Sequence, residues 1–189
     1  MCFALPIRSP ETNGRKQFAV IVARVDLEHS LYSLLLERTG MGKTGETLIV
    51  NTDAMALLEI DIPDDLPEIK CRSQQIQQVL MNLLTNARDA LNERYPDYDP
   101  DKIMAVTVRS FERDGRNWLR TTVEDRGTGI HDKIRERLFD PFFTTKDRTK
   151  GTGLGLAISQ GIFQDHCGEL SLECERDRYT RFHLDLPIS

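Results

Sequence analysis

Four polar side chains, Gln78, Asn82, Asn86 and Asp89, recur at four- and three-residue steps, a spacing that lines them along one edge of a helix. They flank an apolar stripe of Ile76, Val79, Leu80, Leu83, Leu84, Ala87, Ala90 and Leu91, so two amides would lie beside a buried seam. That placement suits a binding site better than a solvated face.

Asp125-Arg126-Gly127-Thr128-Gly129 follows a run rich in β-formers. A carboxylate at a strand end, with glycines keeping the backbone open, can accept a hydrogen bond from an exocyclic amine such as adenine N6. Guanine offers an acceptor at that place, which would cost about 1–3 kcal/mol. Taken alone, Asp125 reads first as a turn or cap residue. A second glycine run, Gly151-Thr152-Gly153-Leu154-Gly155, opens into a helix. Bare peptide N–H groups and the helix dipole together favour a phosphate there; the bland reading is tight helix packing. Thr144–Gly153 has no large apolar side chain and has the profile of a mobile lid anchored by Phe139, Phe142 and Phe143, a composition that a solvated loop shares. Lys146, Arg148 and Lys150 give it positive charge.

Two similar-looking motifs fail on position. Gly40–Thr44 resembles a P-loop, but its first glycine would fall on Glu37. A dinucleotide fingerprint from Gly151 needs glycine where Leu156 stands.

These residues need elements to carry them. Ser73–Arg94 reads as one long helix, with Ser73 as N-cap and Tyr95-Pro96 as its end. Ile103–Arg113 and Asn117–Glu124 read as strands joined by the hairpin signal Asp114-Gly115. A short helix is expected near His131–Phe139, and a second amphipathic helix over Leu154–Asp165 with Leu156, Ile158, Ile162 and Phe163 facing inward. Glu169–Glu175 and Tyr179–Leu186 form a closing hairpin. Upstream, Phe18–Val25 reads as a strand, Asp26 or Glu28 starts a short helix carrying Leu31, Leu34 and Leu35, and Thr39–Glu46 is a loop. Leu58–Ile69 reads as a strand that Pro63 and Pro67 place at an edge or in a bend. Residues 1–17 lack periodicity and are expected to be a tail or linker stub, leaving 18–189 as the domain. Helices mixed with antiparallel strands favour an α+β two-layer sandwich.

Bulk composition narrows the class. A chain of 189 residues with 39% hydrophobic and 29% charged residues is long enough for one packed domain. A net charge of −5 spread along the chain argues against a nucleic-acid surface. No run approaches the ~20 apolar residues of a membrane span. The four cysteines form no CxxC pair, so reduced thiols and a cytoplasmic setting are expected, with no zinc site.

In this order, QQVLMNLLTNARDAL, DRGTGI, LFDPFFTTK and GTGLGL closely resemble the N box, first glycine box, F box and second glycine box of the ATP-binding catalytic domain of bacterial sensor histidine kinases. The resemblance runs from roughly Val25 to Pro187. It implies a Bergerat-type sandwich, a mixed sheet of about five strands backed by three helices, binding ATP and Mg2+. By position, Asn86 would hold magnesium, Asn82 would lie beside the phosphates, and Asp125 would read adenine with Gly127 and Gly129 letting the base approach. Gly151, Gly153 and Gly155 would shape the lid end, and Asp89, Ile130, Thr145, Lys146, Thr152, Leu154 and Leu156 join the nucleotide site. Asn82, Asn86 and Lys146 would be the catalytic set.

The gyrases and mismatch-repair ATPases of the same superfamily have a water-activating glutamate where this chain has Asn82. An amide cannot take a proton at neutral pH, so slow hydrolysis and transfer to an external acceptor are expected. The implied acceptor is a histidine on a dimerisation domain of the parent kinase, with a response regulator downstream. The domain would lie in the cytoplasm, free or as part of a larger membrane-anchored sensor, without itself touching the membrane. His29 is followed by Ser30, Leu31 and Tyr32, which does not match the family's acceptor motif. His131, His166 and His183 read as structural. Cys167 replaces one of the paired glycines after His166, and the usual turn glycine near Arg178–Thr180 is missing. Two alternatives share the fold: an anti-sigma-factor-type serine kinase, which the PFFTTK segment disfavours, and a non-catalytic ATP-sensing module.

Overall fold

The computed structural model describes residues 2–8, 18–24, 45–51, 54–63, 65–146 and 151–188. Among the described residues, eight strands form one sheet in the order β2-β1-β3-β4-β5-β6-β8-β7: β1 (Cys2–Arg8), β2 (Phe18–Arg24), β3 (Gly45–Asn51), β4 (Ala54–Asp61), β5 (Ile103–Arg113), β6 (Arg116–Asp125), β7 (Glu169–Glu175) and β8 (Tyr179–Pro187). β4 and β5 are parallel, the other pairs antiparallel. Such a parallel pair needs a crossover, and α1 (Ser73–Arg94) supplies it. With the one-turn α2 (Asp132–Arg135) and α3 (Gly155–Asp165), this is a mixed α/β sandwich of Bergerat type. β4 to β8 match the sheet of about five strands that the resemblance implies, β2 is the strand read at Phe18–Val25, and β1 and β3 extend the sheet further.

Alternation sorts the sheet's two faces. Met104 and Val106 of β5, Val123 of β6 and Phe182, Leu184 and Leu186 of β8 pack with Val79, Leu83, Leu84, Ala87 and Leu91 of α1 and with Ile162 and Phe163 of α3. The other face carries ion pairs, with Arg120 bidentate on the buried Asp185 at 2.7 and 2.8 Å. Asp114 and Gly115 both have positive φ at the β5–β6 turn, the conformation a two-residue hairpin requires.

Several details correct the sequence reading. Cys2–Arg8 is strand β1, paired with β2 and β3, because strand pairing is non-local and leaves little local periodicity. β4 ends at Asp61, so Pro63 and Pro67 lie beyond the strand, and β4 is no edge strand but lies between β3 and β5. Arg72, not Ser73, holds the N-cap position of α1; its backbone N–H donates to His166 Nε2 at 3.0 Å. At the other end the buried Lys102 donates from Nζ to Tyr95 O at 2.6 Å, a cation placed at the negative end of the helix dipole. Ile158 is 44% exposed while Ser159 is buried, since Ser159 is tied by hydrogen bonds at the site. The α3 terminus turns through Cys167 at φ 54, and the β7–β8 turn uses Asp177 at φ 58, so the missing glycines are replaced by residues in left-handed conformations. His29, the helix expected after Asp26 and residues 39–44 lie outside the described residues.

Candidate nucleotide site

The amide edge of α1 faces the start of α3. Asn82 Nδ2 donates to Ser159 Oγ at 3.0 Å, and Ser159 Oγ donates to Gly155 O at 2.8 Å. A Cβ on Gly155 would collide with the Asn82 amide, so the second glycine box meets the N box by direct contact. One turn on, Asn86 Oδ1 and Asp89 Oδ2 both accept from Lys146 Nζ, at 3.0 and 2.7 Å. Two oxygens converging on one cationic centre also fit a hard divalent cation, which takes oxygen ligands and keeps several waters. Burial pushes the Asp89 carboxyl up, but hydrogen bonds from Lys146 and Arg88 outweigh it and hold it below the usual carboxylate value.

The strand end of β6 makes the second half. Asp125 is 4% exposed, and its Oδ1 accepts from Gly127 N at 2.8 Å. Burial drives its pKa up to about 7, against the Gly127 hydrogen bond and with help from Glu124. A Cβ on Gly127 would lie 2.6 Å from Asp125 Oδ1 and 2.7 Å from Ala90 Cβ, so glycine lets the loop pass between carboxylate and helix. Gly129 has φ +68 and abuts the Glu175 carbonyl, and Asp177 N donates to Thr128 O at 2.9 Å.

α1 therefore brings Asn82, Asn86 and Asp89 beside Gly155, Lys146 and, through Ala90, the Asp125–Gly127 loop. Gly151 lies against Thr144 and Lys146. Thr145 is exposed, Leu154 N donates to Thr152 Oγ1 at 3.4 Å, and Ile130 and Leu156 pack against the core. Arg148 and Lys150 lie outside the described residues, as does part of the expected lid.

The phenylalanine anchor is only partly as expected. Phe139 packs on the core and Phe143 lies 4.7 Å from the Arg137 guanidinium, but Phe142 is 75% exposed at φ 67. Its N–H donates to Gly153 O at 2.9 Å, and that backbone contact turns the ring outward. Sequence reasoning also missed Ser159, Ala90 and Arg94. Ser159 stands four residues after Gly155 and Ala90 is a small residue on the seam, both readable signals; Arg94 had none beyond its place in the last turn.

A helix-backed mixed sheet, with amides along one helix, a buried acid at a strand end and glycine loops bordering both, defines a nucleotide-binding α/β sandwich. Residues 71–189 match the family of histidine kinase-, DNA gyrase B-, and HSP90-like ATPases, and the chain belongs to it. It is an ATP-binding catalytic domain homologous to those of histidine kinases. Sporulation kinase E of Bacillus subtilis is 36% identical over 131 residues, 69% of this chain and 16% of that protein. The sensory histidine kinase/phosphatase NtrB of Salmonella typhimurium is 30% identical over 184 residues, 89% of this chain and 51% of that protein. The chain thus spans about half or less of these relatives. The solved catalytic domain of histidine kinase ThkA is similar with TM-score 0.56 at 25% identity, over 85% of this chain and 90% of that one.

Proposed function

We propose that this domain works within a two-component sensor histidine kinase, moving the γ-phosphoryl group of Mg·ATP to a histidine on a separate dimerisation domain, from which a response regulator would take it. The observation that carries the reading is the chemistry at Asn82. Its Nδ2 donates to Ser159 and its amide oxygen takes no proton at neutral pH, while the Asp89 carboxylate one turn beyond Asn86 is engaged by Lys146 and Arg88. A site without a free base suits a phosphoryl transfer in which positioning and charge neutralisation supply most of the rate.

In this reading Asn86, with Asp89 beside it, holds the magnesium ion, which when bound neutralises phosphate charge. Lys146 exchanges its carboxylate for a phosphate oxygen. Asp125 accepts from adenine N6 through the oxygen that Gly127 does not use, and Gly127 and Gly129 keep the backbone clear of the base. Gly151, Thr152, Gly153 and Gly155 border the phosphates. Among the described residues no helix is long and apolar enough to cross a membrane.

The test mixes the chain with γ-labelled ATP, magnesium and a cognate helical hairpin. Acid-labile label on the hairpin supports the reading. A fast ATPase indifferent to the hairpin, or acid-stable phosphoserine, overturns it.

A further inference from the structure

Arg94 has no part in the roles assigned above. It sits in the last turn of α1, its guanidinium 5.1 Å from the Tyr95 ring centroid. Its Nη1 donates to Gly127 O at 2.9 Å and Arg126 O at 3.1 Å, and reaches Arg178 O at 3.5 Å. The Arg126 carbonyl and the Gly127 N–H belong to one peptide unit, and a trans peptide directs them to opposite sides. The guanidinium therefore grips one end of this peptide while the other end donates to Asp125 Oδ1 at 2.8 Å. A cation on the carbonyl polarises the peptide and strengthens its N–H as a donor.

We propose that Arg94 is a positioning residue for base recognition: through the Arg126–Gly127 peptide it holds the Asp125 carboxylate in the orientation that reads adenine. The proposal rests on the assignment of Asp125 to the base. The surrounding ties show why this peptide is the adjustable part. Arg126 N donates to Ile103 O at 3.1 Å and Thr128 O accepts from Asp177 N at 2.9 Å, so the loop is anchored at one end to β5 and at the other to the β7–β8 turn. Between those anchors the carbonyls of Arg126 and Gly127 are held by Arg94. Without it the peptide can rotate, and the carboxylate it grips rotates with it.

The experiment measures Mg·ATP and Mg·GTP affinities of the full chain by calorimetry, with Arg94→Met, Arg94→Lys and Asp125→Asn. Arg94→Met is expected to lose about 10-fold in ATP affinity with GTP affinity changed less than about twofold, the loss of one charge-assisted contact acting on the base alone. The ATP-to-GTP ratio then collapses toward that of Asp125→Asn. Arg94→Lys restores part of the ratio, because an ammonium still reaches one carbonyl. Amide exchange at Gly127 is expected to quicken in Arg94→Met. If Asp125→Asn collapses the ratio and Arg94→Met leaves it intact, the proposal is wrong and Arg94 only braces the loop. If Asp125→Asn itself leaves the ratio unchanged, the base assignment fails and this inference with it. Should Arg94→Met not fold, Arg94→Gln decides on the same ratio.

Discussion

At the base end of the site the contacts are buried and run through the backbone; at the phosphate end they are half-exposed and run from side chain to side chain. Asp125 is 4% exposed and held by a peptide N–H, and three consecutive residues, Arg126 to Thr128, have their carbonyls bonded to α1 or to the β7–β8 turn. Lys146 and Asp89 are each 34% exposed and hold each other across 57 residues of chain. A buried carboxyl group with fixed neighbours is preorganised for one partner, at a desolvation cost that pushes its pKa up to about 7. An ion pair this exposed is worth under about 1 kcal/mol, so it gives way readily when a phosphate competes for the lysine. One end is built to discriminate and the other to exchange.

The sharpest break in that comparison comes from Asn86→Ala. It should lower magnesium-dependent ATP affinity by about 100-fold, roughly 2.7 kcal/mol, with the melting temperature nearly unchanged, as read by calorimetry and thermal unfolding. A large loss of stability would mean Asn86 serves the fold instead. Next in size is Gly153→Val. Gly153 has φ +66, and a Cβ there would sit 2.7 Å from the Phe142 carbonyl oxygen, so about 2 kcal/mol of destabilisation is expected. An unchanged urea midpoint would show that this loop contact contributes nothing in solution.

Asp125→Asn sharpens the base end by separating function from stability. ATP affinity should fall about 10-fold, the cost of a mispaired buried acceptor. Stability should move the other way, with a sign set by the raised pKa. The folded protein keeps the Asp125 proton up to about pH 7, whereas the unfolded chain releases it near pH 4. The wild-type contribution is therefore full below about pH 4 and is lost as pH rises through about 7. The variant's advantage should grow across that window and level off above it. Melting curves at pH 5 and pH 8 check this; a constant difference would mean Asp125 does not titrate there. Smallest is Lys146→Met, expected to change stability by less than about 0.5 kcal/mol while slowing phosphoryl transfer. A destabilisation of several kcal/mol would contradict the exchangeable character of the phosphate end.

The amide edge was legible because Asn82, Asn86 and Asp89 repeat at helical spacing beside an unbroken apolar stripe, and a helix turns that spacing into a shared side. The Asp114-Gly115 hairpin was legible for the same local reason, since both residues tolerate positive φ. Ile158 and Ser159 were not: hydropathy put the isoleucine inside, yet Ser159 is buried because Asn82 and the Gly155 carbonyl satisfy its hydroxyl. Phe142 was misread likewise, its exposure decided by a backbone bond to Gly153 across the loop. β1 gave no local signal because its partners lie 10 to 48 residues away.

What the amino-acid order determined by itself was every relation within about one helical turn or one hairpin: the polar edge of α1, the open backbone after Asp125 and the glycines at the start of α3. Only the tertiary structure decided that Lys146 meets Asn86 and Asp89, and that Arg94 reaches the peptide that holds Asp125. Short-range geometry follows from bond lengths and dihedral periods. A contact across 30 to 60 residues depends on how the whole core packs, and no local spacing encodes it.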